Sequence, residues 1–233
     1  MNSILPLIKN PKILSIMLWC TVIWLCVSGG NIYILPLFNP DQLQNSYLTG
    51  IYFLGSACAA GWYYKSYEYF PHHGKFSQQF LPAVFFTAVL FATIYYINQI
   101  FPISAEMQKH ITATGFYFPL FRTDTFLAKL GDITFQQVVT YGVLKKLKEQ
   151  GLSNKEALVL FTIGFFLIHL PLVFSLKWYA FVFIIPSIAA GGIFASFILY
   201  LRYGFFKSYA LHFLFYLVVG LYMRLNGKWT PNS

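Results

Sequence analysis

The chain has 233 residues, of which 58% are hydrophobic and only 10% charged, with a mean hydropathy of +0.60; in an average soluble domain about 25% of residues are charged. That composition excludes a water-soluble enzyme or binding module. The formal charge of +9 does not bring in nucleic acid as a partner, because the basic residues stand in short clusters between apolar runs, a pattern of membrane topology and anionic headgroups.

In chain order, Lys9 and Lys12 precede an apolar run at 13–29. No small-residue cleavage site follows it, so it reads as a retained first span and not as a removed signal. Runs at 47–64, 80–98, 156–175, 178–200 and 208–224 each approach the roughly 20 residues that a bilayer core requires. The segment 132–148 is shorter and amphipathic, and it carries Gln136 and Gln137; it crosses only if those amides face other helices or water. Residues 108–128, with FPLF flanked by Lys109, Arg122 and Asp124, read as an interfacial or re-entrant helix. The expectation is an all-α, polytopic transmembrane helical bundle of about seven to eight membrane segments, one integral membrane domain over 1–233.

Aromatic residues reach 21%, and many Tyr and Trp are expected as interface anchors. Cys20, Cys26 and Cys58 lie inside apolar spans with no CxxC or zinc spacing, so they read as small hydrophobes. Gly191 and Gly192, with Ala189, Ala190, Ala195 and Ser196, form a small-residue face suited to close helix packing in lipid. With seven spans, the loops on the N-terminal side hold most of the Lys and Arg, which places the N-terminus in the cytoplasm.

Two histidines interrupt strongly apolar helices: His169 in FFLIHLPL and His212 in YALHFLFY. Each must find a partner or line a wet cavity, because an unsatisfied polar group is costly in a membrane interior. A lone histidine is ordinarily a satisfied packing residue; two of them, with the Gln136–Gln137 amides on a third helix, point to a shared polar cavity. Phe165 and His169, His212 and Tyr216, and Gln137 and Tyr141 are each four residues apart, one pair to a helix face. His72 and His73, between Pro71 and Gly74, read as solvated loop residues, and His110 as interfacial.

The stretch FQQVVTYGVLKKL resembles the first motif of the CAAX protease and bacteriocin-processing (CPBP) family of intramembrane endopeptidases, which includes abortive-infection and Ras-converting endopeptidase-like members. In that motif a Glu pair is followed by three residues, an Arg and commonly a Gly. Gln136 and Gln137 stand for the Glu pair, Tyr141 for the Arg, and Gly142 keeps the Gly. Phe165 and His169 match the second motif. His212 matches the His of the third, with Tyr216 where the family has Asn or Asp. The family-like core covers 132–220. The resemblance implies a bacterial cytoplasmic membrane and a site between helices, open to lipid-borne or C-terminal peptides. There a glutamate activates water while the histidines and the Asn stabilise a tetrahedral oxyanion.

A Gln amide cannot take a proton near neutral pH. Losing both glutamates therefore removes the family's base, and general acid–base catalysis is typically worth ~10²–10⁴-fold. Tyr141 in place of Arg is consistent with that loss, since an Arg without its carboxylate would be an unpaired charge in lipid. Tyr216 keeps a hydroxyl but is large enough to fill the cavity. The expected function is a pseudoprotease that binds membrane lipids and a membrane-associated or lipidated peptide, or a partner membrane protein, without cofactor. No metal is expected either, because two histidines fall short of the three protein ligands of a catalytic zinc. Two alternatives stand beside it: an active endopeptidase using His169 or His212 as base, and a small transporter or lipid-binding helix bundle.

Overall fold

The computed structural model describes residues 9–38, 46–65, 76–105, 122–171, 173 and 181–226. Among these the chain is all-helical, with no strand. Seven principal helices follow one another: α1 (Pro11–Gly29), α2 (Ser46–Tyr63), α3 (Phe76–Ile100), α4 (Phe126–Glu149), α5 (Asn154–His169), α6 (Phe181–Tyr200) and α7 (Gly204–Asn226). A π-helical stretch, Gly30–Ile34, carries α1 on into a short turn of helix, Leu35–Phe38.

Local chemistry explains the boundaries. Asn10 caps α1 by accepting from the Lys12 amide at 3.0 Å, and Pro11 occupies the first turn, where its missing N–H costs nothing. Gly151, at φ +83°, follows the end of α4 in the left-handed conformation that closes helices. Ser153 and Glu156 then form a reciprocal capping box that starts α5.

Side-chain contacts fix the direction of each helix. Ser46 Oγ donates to the Asp124 carbonyl at one end of the bundle, and Lys145 Nζ donates to the Lys65 carbonyl at 2.8 Å at the other, so α2 and α4 run parallel. Asn154 Nδ2 reaches the Leu199 carbonyl at 3.2 Å, which makes α5 and α6 antiparallel. The Phe206 amide donates to Gln79 at 3.3 Å and Arg224 to the Phe101 carbonyl at 3.1 Å, so α3 and α7 run parallel. Successive helices alternate in direction throughout, and the described chain starts and ends at opposite ends of the bundle.

α4 is the central element. Sixteen of its 24 residues are buried, and it packs on α1, α2, α5, α6 and α7. Its closest neighbour is α2: a Cβ on Gly131 would lie 2.6 Å from the Gly50 carbonyl oxygen, and one on Gly142 would lie 2.5 Å from the Tyr64 Cβ. The two helices touch backbone to backbone at one end and glycine to ring at the other. Gly191 lies under Phe165, 3.0 Å from its ring for a Cβ placed there, so the small-residue face of α6 serves close packing on α5.

Among the described residues three helical stretches are long and apolar enough to cross a membrane, Pro11–Gly29, Leu81–Ile100 and Gly204–Tyr222, and a shorter apolar helix spans Ile184–Tyr200. α1 and α3 turn most of their surface outward, as a lipid-facing helix does. Exposed aromatic residues gather at both ends. Trp62, Tyr63 and Tyr200 lie where α2 and α6 finish, and Tyr47, Tyr95, Tyr96 and Tyr222 lie at the opposite end. Tyr47 and Trp62 on α2 are separated by about 22 Å at 1.5 Å per residue.

Two expectations change. The segment expected at 132–148 begins at Phe126 and is enclosed on nearly all sides instead of being amphipathic, because its charged residues pair with each other or with carbonyls. Residues 126–128, expected in an interfacial helix, belong to it. The helix expected to reach 175 closes at His169. Most of the 108–128 segment lies outside the described residues, as do Lys75, Lys177, Lys228 and the histidines His72, His73 and His110.

Candidate functional site

α4 and α7 run antiparallel, and their facing side chains form a ladder. Tyr141 packs edge-on to Phe205 at 5.7 Å; Gln137 meets Ser208 and His212; Lys129 lies over the Tyr216 ring at 4.6 Å. The middle rung is closed to solvent, with Gln137 and Ser208 at 0% exposure and His212 at 5%. Ser208 Oγ donates to Gln137 Oε1 at 2.7 Å, and Gln137 Nε2 lies 3.0 Å from His212 Nδ1. An amide nitrogen only donates, so His212 Nδ1 is the acceptor and its ring proton sits on Nε2. The imidazole packs on Phe194, tilted at 4.7 Å and 33°, and stacks on Tyr216 at 5.3 Å and 24°.

Gln136 turns the other way. Its Nε2 donates to Asp132 Oδ1 at 2.8 Å, and the other carboxylate oxygen lies 3.4 Å from Lys129 Nζ. Lys129, Asp132 and Gln136 thus share one face of α4 at spacings of three and four.

His169, half-buried at the last turn of α5, has Nδ1 2.6 Å from the Phe165 carbonyl oxygen. A carbonyl only accepts, so this nitrogen carries the proton and Nε2 keeps its lone pair, the tautomer opposite to that of His212. Its ring contacts Phe165 at 4.6 Å and Trp24 at 6.1 Å. Phe165 meets Phe194 at 6.2 Å, so an aromatic layer separates His169 from His212.

Of the residues expected from the sequence, Gln137, His212 and Tyr216 come together. Gln136 bonds to Asp132, His169 lies apart against Phe165 and Trp24, and Tyr141 sits one turn beyond Gln137, buried against Phe205. Gly142 works in the α2–α4 contact. Three residues join the site that sequence reasoning missed: Lys129, Asp132 and Ser208. Their signal was there, since Asp132 precedes Gln136 by four and Ser208 precedes His212 by four. Asp132, one turn before Gln136, brings a carboxylate beside the position of the first family glutamate.

A cleft of about 10 Å³ between α1, α4 and α5, lined by Met17, Cys20, Trp24, Val139 and Phe161 among others, has room for about one water and no ligand. Among the described residues no group of three His, Cys, Asp or Glu is placed to hold a metal ion. No protein-family model matches the sequence, and neither a curated protein nor a solved structure matches it significantly.

Proposed function

We propose that this protein is a CAAX-protease-like (CPBP family) membrane protein of seven crossings whose glutamate-driven chemistry is lost, and which binds a membrane-associated or lipidated peptide, or a partner membrane protein, in place of cutting it. The alternating direction of the seven helices and the two aromatic levels support the crossing count. The resemblance supports a bacterial cytoplasmic membrane, and the basic end of the bundle supports a cytoplasmic N-terminus.

One observation carries the loss of turnover. The Gln137 side chain, at a family glutamate position, is held on both its amide atoms by Ser208 and His212, and the imidazole packs against the Phe194 and Tyr216 rings. Such a rung stabilises packing; it offers neither a proton acceptor nor space for a water. A ligand would meet His169, partly exposed at the last turn of α5.

The test is a cleavage assay of the purified protein in lipid, against prenylated CAAX peptides and a membrane-peptide library, beside a Gln136→Glu, Gln137→Glu, Tyr141→Arg, Tyr216→Asn variant. Cleavage by the variant alone supports the reading. Cleavage by the unmodified protein overturns it.

A second reading, a histidine-based endopeptidase, is favoured by the tautomer of His169, whose Nδ1 proton goes to the Phe165 carbonyl and leaves a lone pair on Nε2. It requires cleavage by the unmodified protein that is abolished by His169→Ala.

A further inference from the structure

The fold sorts charge by end. Nine of the basic residues described, Lys9, Lys12 and Lys65 among them, come to the end where α1, α3, α5 and α7 begin, and three, Arg122, Lys129 and Arg224, lie towards the other. The acidic residues do not follow. At the basic end only Glu149 and Glu156 are described. Glu149 is engaged by Lys145 at 3.3 Å and Lys146 at 2.8 Å, and Glu156 by its capping box. At the other end Arg122 pairs with Asp124, and Lys129 with Asp132.

The exposed cations of the basic end include Lys155 at the start of α5, Arg202 in the α6–α7 turn and Lys207 in the first turn of α7. The Asn154–Leu199 bond and the three-residue turn 201–203 hold these three helix ends together. A second, independent feature lies at the same level. Tyr200, 54% exposed, ends α6, and Trp62, 76% exposed, ends α2 beside Lys65. Arg202 stacks on Tyr203 at 5.0 Å.

Tyr and Trp prefer the depth of the lipid headgroups, where a ring can be apolar on its body and wet at its tip. Cations at that depth face phosphodiesters, and the apolar flanks of α6 and α7 run away from them towards the acyl chains, with Ile193 and Leu214 exposed. A nucleic acid or an acidic protein would not call for amphipathic rings at the level of the charges.

We infer that the α5–α6–α7 corner, built on Lys155, Arg202 and Lys207 with Tyr200, is a binding surface for anionic glycerophospholipid headgroups of one leaflet, the one at the N-terminal end of α1. The inference rests on the membrane-embedded reading and not on the protease resemblance, so a failed cleavage assay leaves it standing. Each Lys or Arg near an anionic surface contributes enough that removing three weakens the association on the order of 100-fold.

The full chain in nanodiscs of phosphatidylcholine, with and without phosphatidylglycerol, tests it by native mass spectrometry of retained lipid and by thermal unfolding. Retention of phosphatidylglycerol and a raised Tm, both diminished by added salt, are expected for the unmodified protein. Lys155→Gln, Arg202→Gln, Lys207→Gln together should lose both effects while keeping the Tm seen in phosphatidylcholine alone, which shows the variant folded. Arg122→Gln, at the opposite end, should lose neither. Equal retention of the two lipids by the unmodified protein, or an unchanged preference in the triple variant, overturns the inference.

Discussion

The Gln137 amide and the His212 imidazole hold each other at 3.0 Å across α4 and α7, and the pair is out of reach of solvent. Gln137→Leu leaves His212 Nδ1 and the Ser208 hydroxyl without that partner, each costing about 1–3 kcal/mol when buried and unpaired. Unfolding of the detergent-solubilised protein should show a loss of about 3 kcal/mol. Combining the change with Ser208→Ala should recover part of it; strictly additive losses would contradict the shared rung.

The two histidines should differ sharply as packing residues. His169 bonds to a carbonyl of its own helix and is half-exposed, so His169→Phe should cost less than about 1 kcal/mol. His212→Phe strands the Gln137 amide nitrogen in a sealed interior and should cost about 2 kcal/mol or more. The ranking of the two midpoints in one denaturation series checks this, and a reversed order would count against the placement of the rung.

Lys129 and Asp132 are both largely buried, so removing one charge is worse than removing both. Asp132→Asn keeps a hydrogen-bond acceptor for Gln136 but takes the carboxylate from the lysine, with an expected loss of about 3 kcal/mol. Lys129→Met with Asp132→Leu should fall closer to the unmodified protein. The three unfolding free energies decide it.

Gly131 and Gly50 set the crossing of α2 on α4. Gly131→Ala drives a methyl into the Gly50 backbone, which cannot yield as a side-chain end would, and should cost about 2–3 kcal/mol. Gly55→Ala, where nothing lies within 4 Å of the added carbon, should be neutral or stabilising by about 0.5–1 kcal/mol. Equal effects at the two sites would mean the helices do not touch there.

The exposed thiols report on lipid. Cys26 and Cys58 are exposed on α1 and α2, and Cys20 is buried. In membranes a lipid-soluble maleimide should label Cys26 and Cys58, a membrane-impermeant one should label neither, and Cys20 should react only on unfolding. Labelling of Cys58 by the impermeant reagent would place that face of α2 in water.

The outer helices were legible in the sequence because their apolar runs match the length of a span: the runs read at 13–29, 47–64 and 208–224 differ from the observed helices by a few residues at each end. The start of α4, at Phe126 where the sequence reading put 132, was not, for a physical reason. Its first turns carry Lys129 and Asp132, and isolated charges in a sequence look like a boundary, whereas in the fold they neutralise each other. Ser208 was missed because a serine in a helix announces nothing until its partner amide is placed opposite. The pairing of Gln137 with His212 was approachable from motif spacing; the opposite outlook of Gln136 was not, since neighbouring residues on a helix diverge by about 100°.

The central position of α4 has a consequence for how the chain is built. Membrane helices enter lipid in order of synthesis, and a helix carrying Lys129, Asp132 and two amides is a poor entrant by itself, each charge opposing insertion by about 2.5–3.5 kcal/mol at mid-bilayer. α2 is ready beforehand and offers the glycine seat at Gly50. The partners of Gln137 belong to α7, which is made after the other six described helices. Until α7 arrives, the core of the bundle is an unfinished polar surface, so a chain halted before residue 204 should be a substrate for quality control and not a smaller version of the same protein.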